Sequence, residues 1–353
     1  MGEALQSRET ASVAPAPRVV RAAQAQREAR RIEAALGLAL YPVEAAAGMV
    51  WSLAEIARFA TLPDELRHDP FRERVLEDIE RRGFYADVTD VLPLRHHADG
   101  WLSAPSPYAR VGEPRCDRVV AHFRPAPRPT KRLLVVCHCY GIPSPRLMDG
   151  LFGASTVNAD VLTNITCHHE KGGFDLWPGS GFLSLRTSRF LENVRASALG
   201  LRALTRTFIQ ERGYEQVSVV GFSLGGHFAL HLANSHEMDG ALLYCPAINI
   251  RAIVVQLGLM RFFGESFVKR LAAAGLSHRF EDLAIAEPLT YPLSIPQERL
   301  HVVVQRRDLL ATPRGIEPIR ARYPESSWLE LPGTHLFPIG QRELKAKVRE
   351  LFE

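Results

Sequence analysis

The chain has no Cys-x-x-Cys pair, no block of about five or more like charges, and no apolar run long enough to cross a membrane. Each absence removes a class of protein. Cys116, Cys137, Cys139, Cys167 and Cys245 make an odd set without zinc-ligand spacing, so neither a disulfide framework nor a zinc knuckle is indicated, and free thiols in a reducing compartment are expected. The net charge of +4 over 353 residues gives no electrostatic footprint for nucleic acid. Mixed-sign runs such as Glu77-Asp78-Ile79-Glu80-Arg81-Arg82 read as solvated helix faces. The most apolar stretch, Ala34 to Ala60, is broken by Pro42, Glu44, Glu55 and Arg58, short of the ~20 apolar residues that a span needs. The beginning of the chain lacks a charged-then-apolar secretory profile, and Gln6 breaks a myristoylation pattern after Met1-Gly2. A cytoplasmic location is the resulting expectation.

What is present is a globular composition, 46% hydrophobic, with a change of texture along the chain. Residues 1–17 are small, polar and Pro-containing and read as a flexible end. Arg18 to Arg82 carries helical periodicity, which makes 1–83 a helical N-terminal extension. From Phe84 short apolar runs alternate with helical stretches. Strands are expected at Arg118–Phe123, Leu133–Cys137, Val161–Ile165, Val217–Val220, Ala241–Tyr244, Leu300–Val304 and Trp328–Leu331. Helices are expected at Arg186–Arg212, Ser223–Ser235, Glu317–Tyr323 with Pro318 in its first turn, and Gln341–Phe352. This alternation predicts an α/β protein with a mostly parallel sheet covered on both faces. Residues 84–246 and 288–353 would form the core, and 247–287, with helical stretches at Ala252–Arg261 and Glu265–Ala274, an inserted lid.

The chemistry-bearing motif is Gly221-Phe222-Ser223-Leu224-Gly225, directly after an apolar run and at the start of a helical one. A serine in a sharp strand-to-helix turn needs small residues two positions to either side, because the turn packs against its neighbours. The helix start beyond it offers N–H groups to developing negative charge.

The segment Gly221-Phe222-Ser223-Leu224-Gly225-Gly226-His227 resembles the nucleophile elbow of the α/β-hydrolase superfamily, and the likeness extends from about Arg118 to the C-terminus. Within it, the elbow with its trailing His and the run Val302-Val303-Val304-Gln305-x-x-Asp308 are similar to an esterase-like group related to abhydrolase-domain 18 proteins. The resemblance implies a serine hydrolase whose nucleophile, acid and base follow in that chain order. His335, in the loop between the last strand and the last helix, is then the general base, and Asp308, just past the strand Leu300–Val304, the carboxylate that orients it. The Leu224 amide would supply one oxyanion donor. The loop His138-Cys139-Tyr140-Gly141 is similar to the family's His-Gly-x-Gly loop and would supply the second through Tyr140, with Cys139, in place of a glycine, as the alternative donor. Cys139, His169, Phe222 and Trp177 are candidate substrate contacts, and Phe174 shares the loop with Trp177.

The pair His227 and His231 lacks the glutamate that follows the first His of a zincin, so packing or hydrogen-bonding roles are expected and no metal or other cofactor. The expected partner is a small acyl substrate, with no nucleic acid. The apolar N-terminal helices read either as packing on the core, as a wall of an acyl pocket, or as a homodimer interface. Carboxylic-ester hydrolysis is the main functional reading. A thioesterase or acyltransferase with the same triad, or a catalytically silent binding protein on this fold, are the alternatives.

Overall fold

A computed structural model describes residues 69–86, 91–111, 117–153, 157–170, 178–179, 181–184, 186–235, 238–249 and 282–353, with the three helical positions 31, 35 and 39. The anticipated flexible end, most of the N-terminal helical extension, Phe174, Trp177 and both anticipated lid helices lie outside the described residues.

Nine strands form one sheet: β1 (Arg95–His96), β2 (Trp101–Pro105), β3 (Arg118–Arg124), β4 (Arg132–Cys137), β5 (Asp160–Ile165), β6 (Gln216–Phe222), β7 (Gly240–Tyr244), β8 (Leu300–Gln305) and β9 (Ser327–Leu331). Their spatial order is β1-β2-β3-β5-β4-β6-β7-β8-β9. The pairs from β5 through β9 are parallel, while β1, β2 and β3 join antiparallel at one edge. The central strands β4, β6, β7 and β8 are buried along nearly their whole length, which is why they read in the sequence as mainly apolar runs, interrupted by Ser218 in β6 and His301 in β8, rather than alternating ones.

Six α-helices are described: α1 (Arg72–Arg82), α2 (Pro145–Phe152), α3 (Thr187–Arg212), α4 (Leu224–Ala233), α5 (Pro313–Arg322) and α6 (Gln341–Glu350). Alternate residues of β6 show that both faces are covered. A Cβ on Gly221 would meet Gly225 of α4, whereas the Ser218 hydroxyl on the opposite face donates to the carbonyl of Leu351 beyond α6. The helix α3 spans 26 residues and is buried over most of them, and Gly200 brings it so close to β3 that a Cβ there would stand 2.9 Å from Val119 Cγ2.

Two helices depart from expectation. The helix α5 begins at Pro313 rather than near Glu317, capped by the Thr312 side chain, so Pro318 sits inside the helix instead of in its first turn. The helix α2, with Ser144 as N-cap, Pro145 at its first position and left-handed Gly153 at its end, was not anticipated. The run at 77–82 is not a solvated face throughout. Asp78 and Ile79 point inward, and Asp78 pairs with Arg195 of α3 at 2.7 Å. Further polar ties bind this part of the chain to the core: Asp69 accepts from the amide and hydroxyl of Ser188, and Arg72 pairs with Asp282 at 2.8 Å. After β7, the Asn249 amide donates to Glu287 Oε2 at 2.9 Å. No helix among the described residues is long and apolar enough to cross a membrane.

Candidate active site

The strand β6 runs into α4 through Ser223, whose φ of 56° and ψ of −117° are conformations that a non-glycine residue adopts only when its surroundings enforce them. Those surroundings are hydrogen bonds and close packing. The Ser223 amide donates to the Tyr244 carbonyl at 3.0 Å, and the Ser223 carbonyl accepts from the amides of Gly226 and Ala247, each at 2.9 Å. A Cβ on Gly221 would stand 2.1 Å from the Gly225 carbonyl oxygen, and one on Gly225 would stand 2.0 Å from the Cys137 carbonyl oxygen. Both glycines are therefore required by the turn and by its contact with the end of β4.

His335 presents its Nε2 to the Ser223 hydroxyl at 2.9 Å and its Nδ1 to Asp308 Oδ2 at 2.7 Å. A carboxylate only accepts, so Nδ1 carries the proton and Nε2 is left with the lone pair that faces the hydroxyl. The other carboxylate oxygen, Asp308 Oδ1, accepts from the amides of Leu310 and Ala311, each at 2.7 Å, which fixes the plane of the carboxylate. Asp308 and His335 are buried, and the three residues join from β6, the turn after β8 and the loop after β9.

The loop that carries His335 is itself pinned. Gln305, fully buried at the end of β8, accepts from the Gly333 amide at 2.5 Å and donates to the Ile339 carbonyl at 3.0 Å and the Tyr244 hydroxyl at 2.6 Å. A Cβ at Gly333 would lie 2.6 Å from Gln305 Oε1, so only glycine fits there. The role of Gln305 escaped the sequence reading, although an amide at the end of the run Val302-Val303-Val304 was a visible signal. Cys245 was missed at this place as well: its sulfur lies within 4.8 Å of donor atoms of both Asp308 and His335, in a set of three types that also bind metals. In this set the carboxylate and the imidazole already engage each other.

The remaining candidates fall around this centre. Phe222 is buried between Tyr244 and His335, its ring 5.1 Å from each and nearly parallel to both. Leu224 opens α4 immediately after the serine. Cys139 is buried, with its thiol pushed up to about 12 by loss of hydration, and Tyr140 is half-buried on the same loop. His169 is fully buried against Tyr140 and His138. Trp177 lies outside the described residues.

His227 and His231 lie with their Nε2 atoms 3.2 Å apart, further along α4. The His231 Nε2 also faces the Ala286 carbonyl at 3.0 Å, so that nitrogen carries the proton and Nδ1 accepts the Tyr85 hydroxyl at 2.5 Å. Burial pushes His227 down to about 4 and His231 well below the ordinary imidazole range, which keeps both neutral. They form a hydrogen-bonded chain that fastens α4 to the residues after position 282.

No protein-family model and no curated protein matches the chain. Among solved structures, the chain is similar to acetyl xylan esterase 1 from Thermoanaerobacterium sp. JW/SL YS485, at 14% identity and a TM-score of 0.51 over 82% of this chain and 98% of that one. It is likewise similar to an acetyl xylan esterase from Paenibacillus sp. R4, at 12% identity and a TM-score of 0.51 over 80% of this chain and 93% of that one. Likeness at this identity is a likeness of architecture, and together with the strand order it shows that the chain has the α/β-hydrolase fold.

Proposed function

We propose that the protein is a serine hydrolase that cleaves a carboxylic ester or a related acyl bond through an acyl-enzyme. The observation that carries the reading is the hydrogen-bonded series Ser223 Oγ, His335 Nε2, His335 Nδ1 and Asp308 Oδ2, with contacts of 2.9 and 2.7 Å. The two acetyl xylan esterases of similar architecture agree with ester chemistry.

In this mechanism Ser223 Oγ bonds to the substrate carbonyl carbon while its proton passes to His335 Nε2. Asp308 holds the imidazole in the tautomer that can take that proton and stabilises the imidazolium that results. The carbonyl electrons move to oxygen, where the amides of Leu224 and Tyr140 are the proposed donors. The oxyanion then collapses, the bond to the alcohol oxygen breaks, and the leaving alkoxide takes the proton from His335 Nε2. Water repeats the sequence: its proton goes to His335, its oxygen bonds to the acyl carbon, the bond to Ser223 Oγ breaks, and the proton returns to the serine.

Steady-state hydrolysis of p-nitrophenyl esters of graded chain length tests the reading. Turnover by the wild-type chain that Ser223→Ala abolishes is the expected result. Equal turnover by both proteins would refute the assignment.

A further inference from the structure

The loop after β4 lacks the glycine that would let its backbone take any path at position 139, and two buried histidines hold it instead. His138 is fully buried. Its Nε2 accepts the Thr166 amide at 2.9 Å, so the ring proton resides on Nδ1, which donates to the Cys139 carbonyl at 2.7 Å. That carbonyl belongs to the same planar trans peptide as the Tyr140 N–H, and in such a peptide the two point in opposite directions. Fixing the carbonyl on the imidazole therefore fixes the line along which the Tyr140 amide points, away from His138. The loop lies directly over the elbow, since a Cβ at Gly225 would also meet the His138 carbonyl oxygen at 2.7 Å.

His169 completes the arrangement from the loop after β5. Its ring meets the His138 ring edge-on with centroids 4.8 Å apart and the Tyr140 ring edge-on at 5.4 Å, and its Nδ1 lies 2.9 Å from the Cys167 carbonyl. Gly179 leaves room for it, as a Cβ there would stand 2.4 Å from His169 Nε2.

We infer that His138, braced by His169, is the positioning residue that aims the Tyr140 amide at the oxyanion. This rests on the ester-hydrolase reading and adds a residue that touches neither substrate nor nucleophile. Burial, with the adjacent His169 ring, pushes His138 down to about 3, so the tautomer that makes both bonds persists across the working range of an esterase.

Two amide substitutions in the full-length chain separate positioning from packing. In His138→Asn the side-chain nitrogen takes the place of Nδ1 and still donates to the Cys139 carbonyl. In His138→Gln the amide reaches the place of Nε2 and serves only the Thr166 amide. With p-nitrophenyl acetate, His138→Gln is expected to lower kcat by about 10²-fold with KM changed by less than about threefold, and His138→Asn to keep kcat within about fivefold. The inhibition constant of a trifluoromethyl ketone, which forms a reversible tetrahedral adduct on serine, should weaken by the same factor as kcat.

Matched losses in the two variants, a loss confined to KM, or unchanged ketone affinity would overturn the inference. If His138→Gln does not fold by thermal melting, His138→Asn decides alone: retention of kcat upholds the positioning role and a fall of about 10² ends it. A wild-type chain that neither turns over esters nor reacts with a fluorophosphonate would remove the hydrolase reading and this inference with it. An active wild type with matched variants would remove only the inference.

Discussion

Two buried carboxylates in this chain each hold a base at 2.7 Å, Asp308 on His335 and Asp78 on Arg195. The distances are equal and the consequences differ, because of what the base does with its remaining nitrogens. The Arg195 guanidinium donates to the carbonyls of Gly83 and Phe84 and to the Tyr108 hydroxyl, and it stacks over the Tyr108 ring at 4.7 Å. It never loses its proton, and its donors are spent on backbone, so the pair fastens α1 to α3. His335 makes one bond to its carboxylate and turns its other nitrogen to a hydroxyl. A neutral imidazole with one lone pair aimed at a serine is poised to move a proton, and a saturated guanidinium is not. A short charge-assisted contact alone thus does not distinguish a structural pair from a proton-transfer one; what differs at His335 is that its second nitrogen meets a hydroxyl.

Substitutions at the two sites should therefore move different observables. The largest effect expected is on turnover at the serine: Ser223→Ala should lower kcat about 10⁶-fold, with a melting temperature close to wild type, since the enforced backbone conformation is as available to alanine. Asp308→Asn should follow at about 10⁴-fold, because the amide holds the wrong imidazole tautomer. Both are read by steady-state kinetics beside a thermal melt. A large loss of stability in either would blur the contrast drawn here.

Arg195→Leu should do the reverse. It removes the buried partner of Asp78 and leaves the carboxylate only Arg81 and Arg82, which are more exposed, so urea unfolding should show a loss of about 2–3 kcal/mol while the folded fraction keeps its kcat. The same pair gives a pH signature. Burial alone would raise the Asp78 carboxyl, but hydrogen bonds and charge from Arg195, together with Arg81 and Arg82, hold it below its ordinary value of 3.8. A depressed folded value contributes stability that is fully present above the unfolded one and is lost as pH falls through the folded one. Wild-type stability should accordingly decline on acidification below about pH 4, and Asp78→Asn should lack that component of the decline. The smallest effect belongs to the histidine chain on α4. Tyr85→Phe removes the hydrogen bond that the hydroxyl donates to His231 and the longer one that it accepts from Asn234, and should cost about 1–2 kcal/mol in the same unfolding assay, without a change in ester preference.

What the sequence made legible follows from how local each feature is. The elbow lies within one continuous strand-turn-helix, and its glycines are demanded by contacts only a few residues away, so Gly221 and Gly225 announce it. The central strands were legible because burial on both faces leaves no polar alternation to misread. The strands β1 and β2 were not, since Arg95–His96 is exposed and Trp101–Pro105 ends in proline; the pairing of β1 with β2 and of β2 with β3 supplies what their composition does not. The start of α5 was misplaced because two prolines stand five apart, and Pro313 after the Thr312 cap, not Pro318, occupies the first position. Asp78 reads as part of a solvated helix face, as nothing local says that Arg195, 117 positions away, lies opposite. Around the candidate centre, Ser223, Asp308 and His335 were found from the elbow and the chain order that its resemblance implies. Gln305, His138 and Cys245 were not, because each acts through a tertiary contact.

The central claim is that Ser223 is a nucleophile activated by His335, and intact-mass measurement after reaction with a fluorophosphonate tests it most directly. One phosphonyl adduct is expected on the wild-type chain, mapping to the peptide that contains Ser223, and none on Ser223→Ala. An unlabelled wild-type chain, or an adduct that persists in Ser223→Ala, would contradict it.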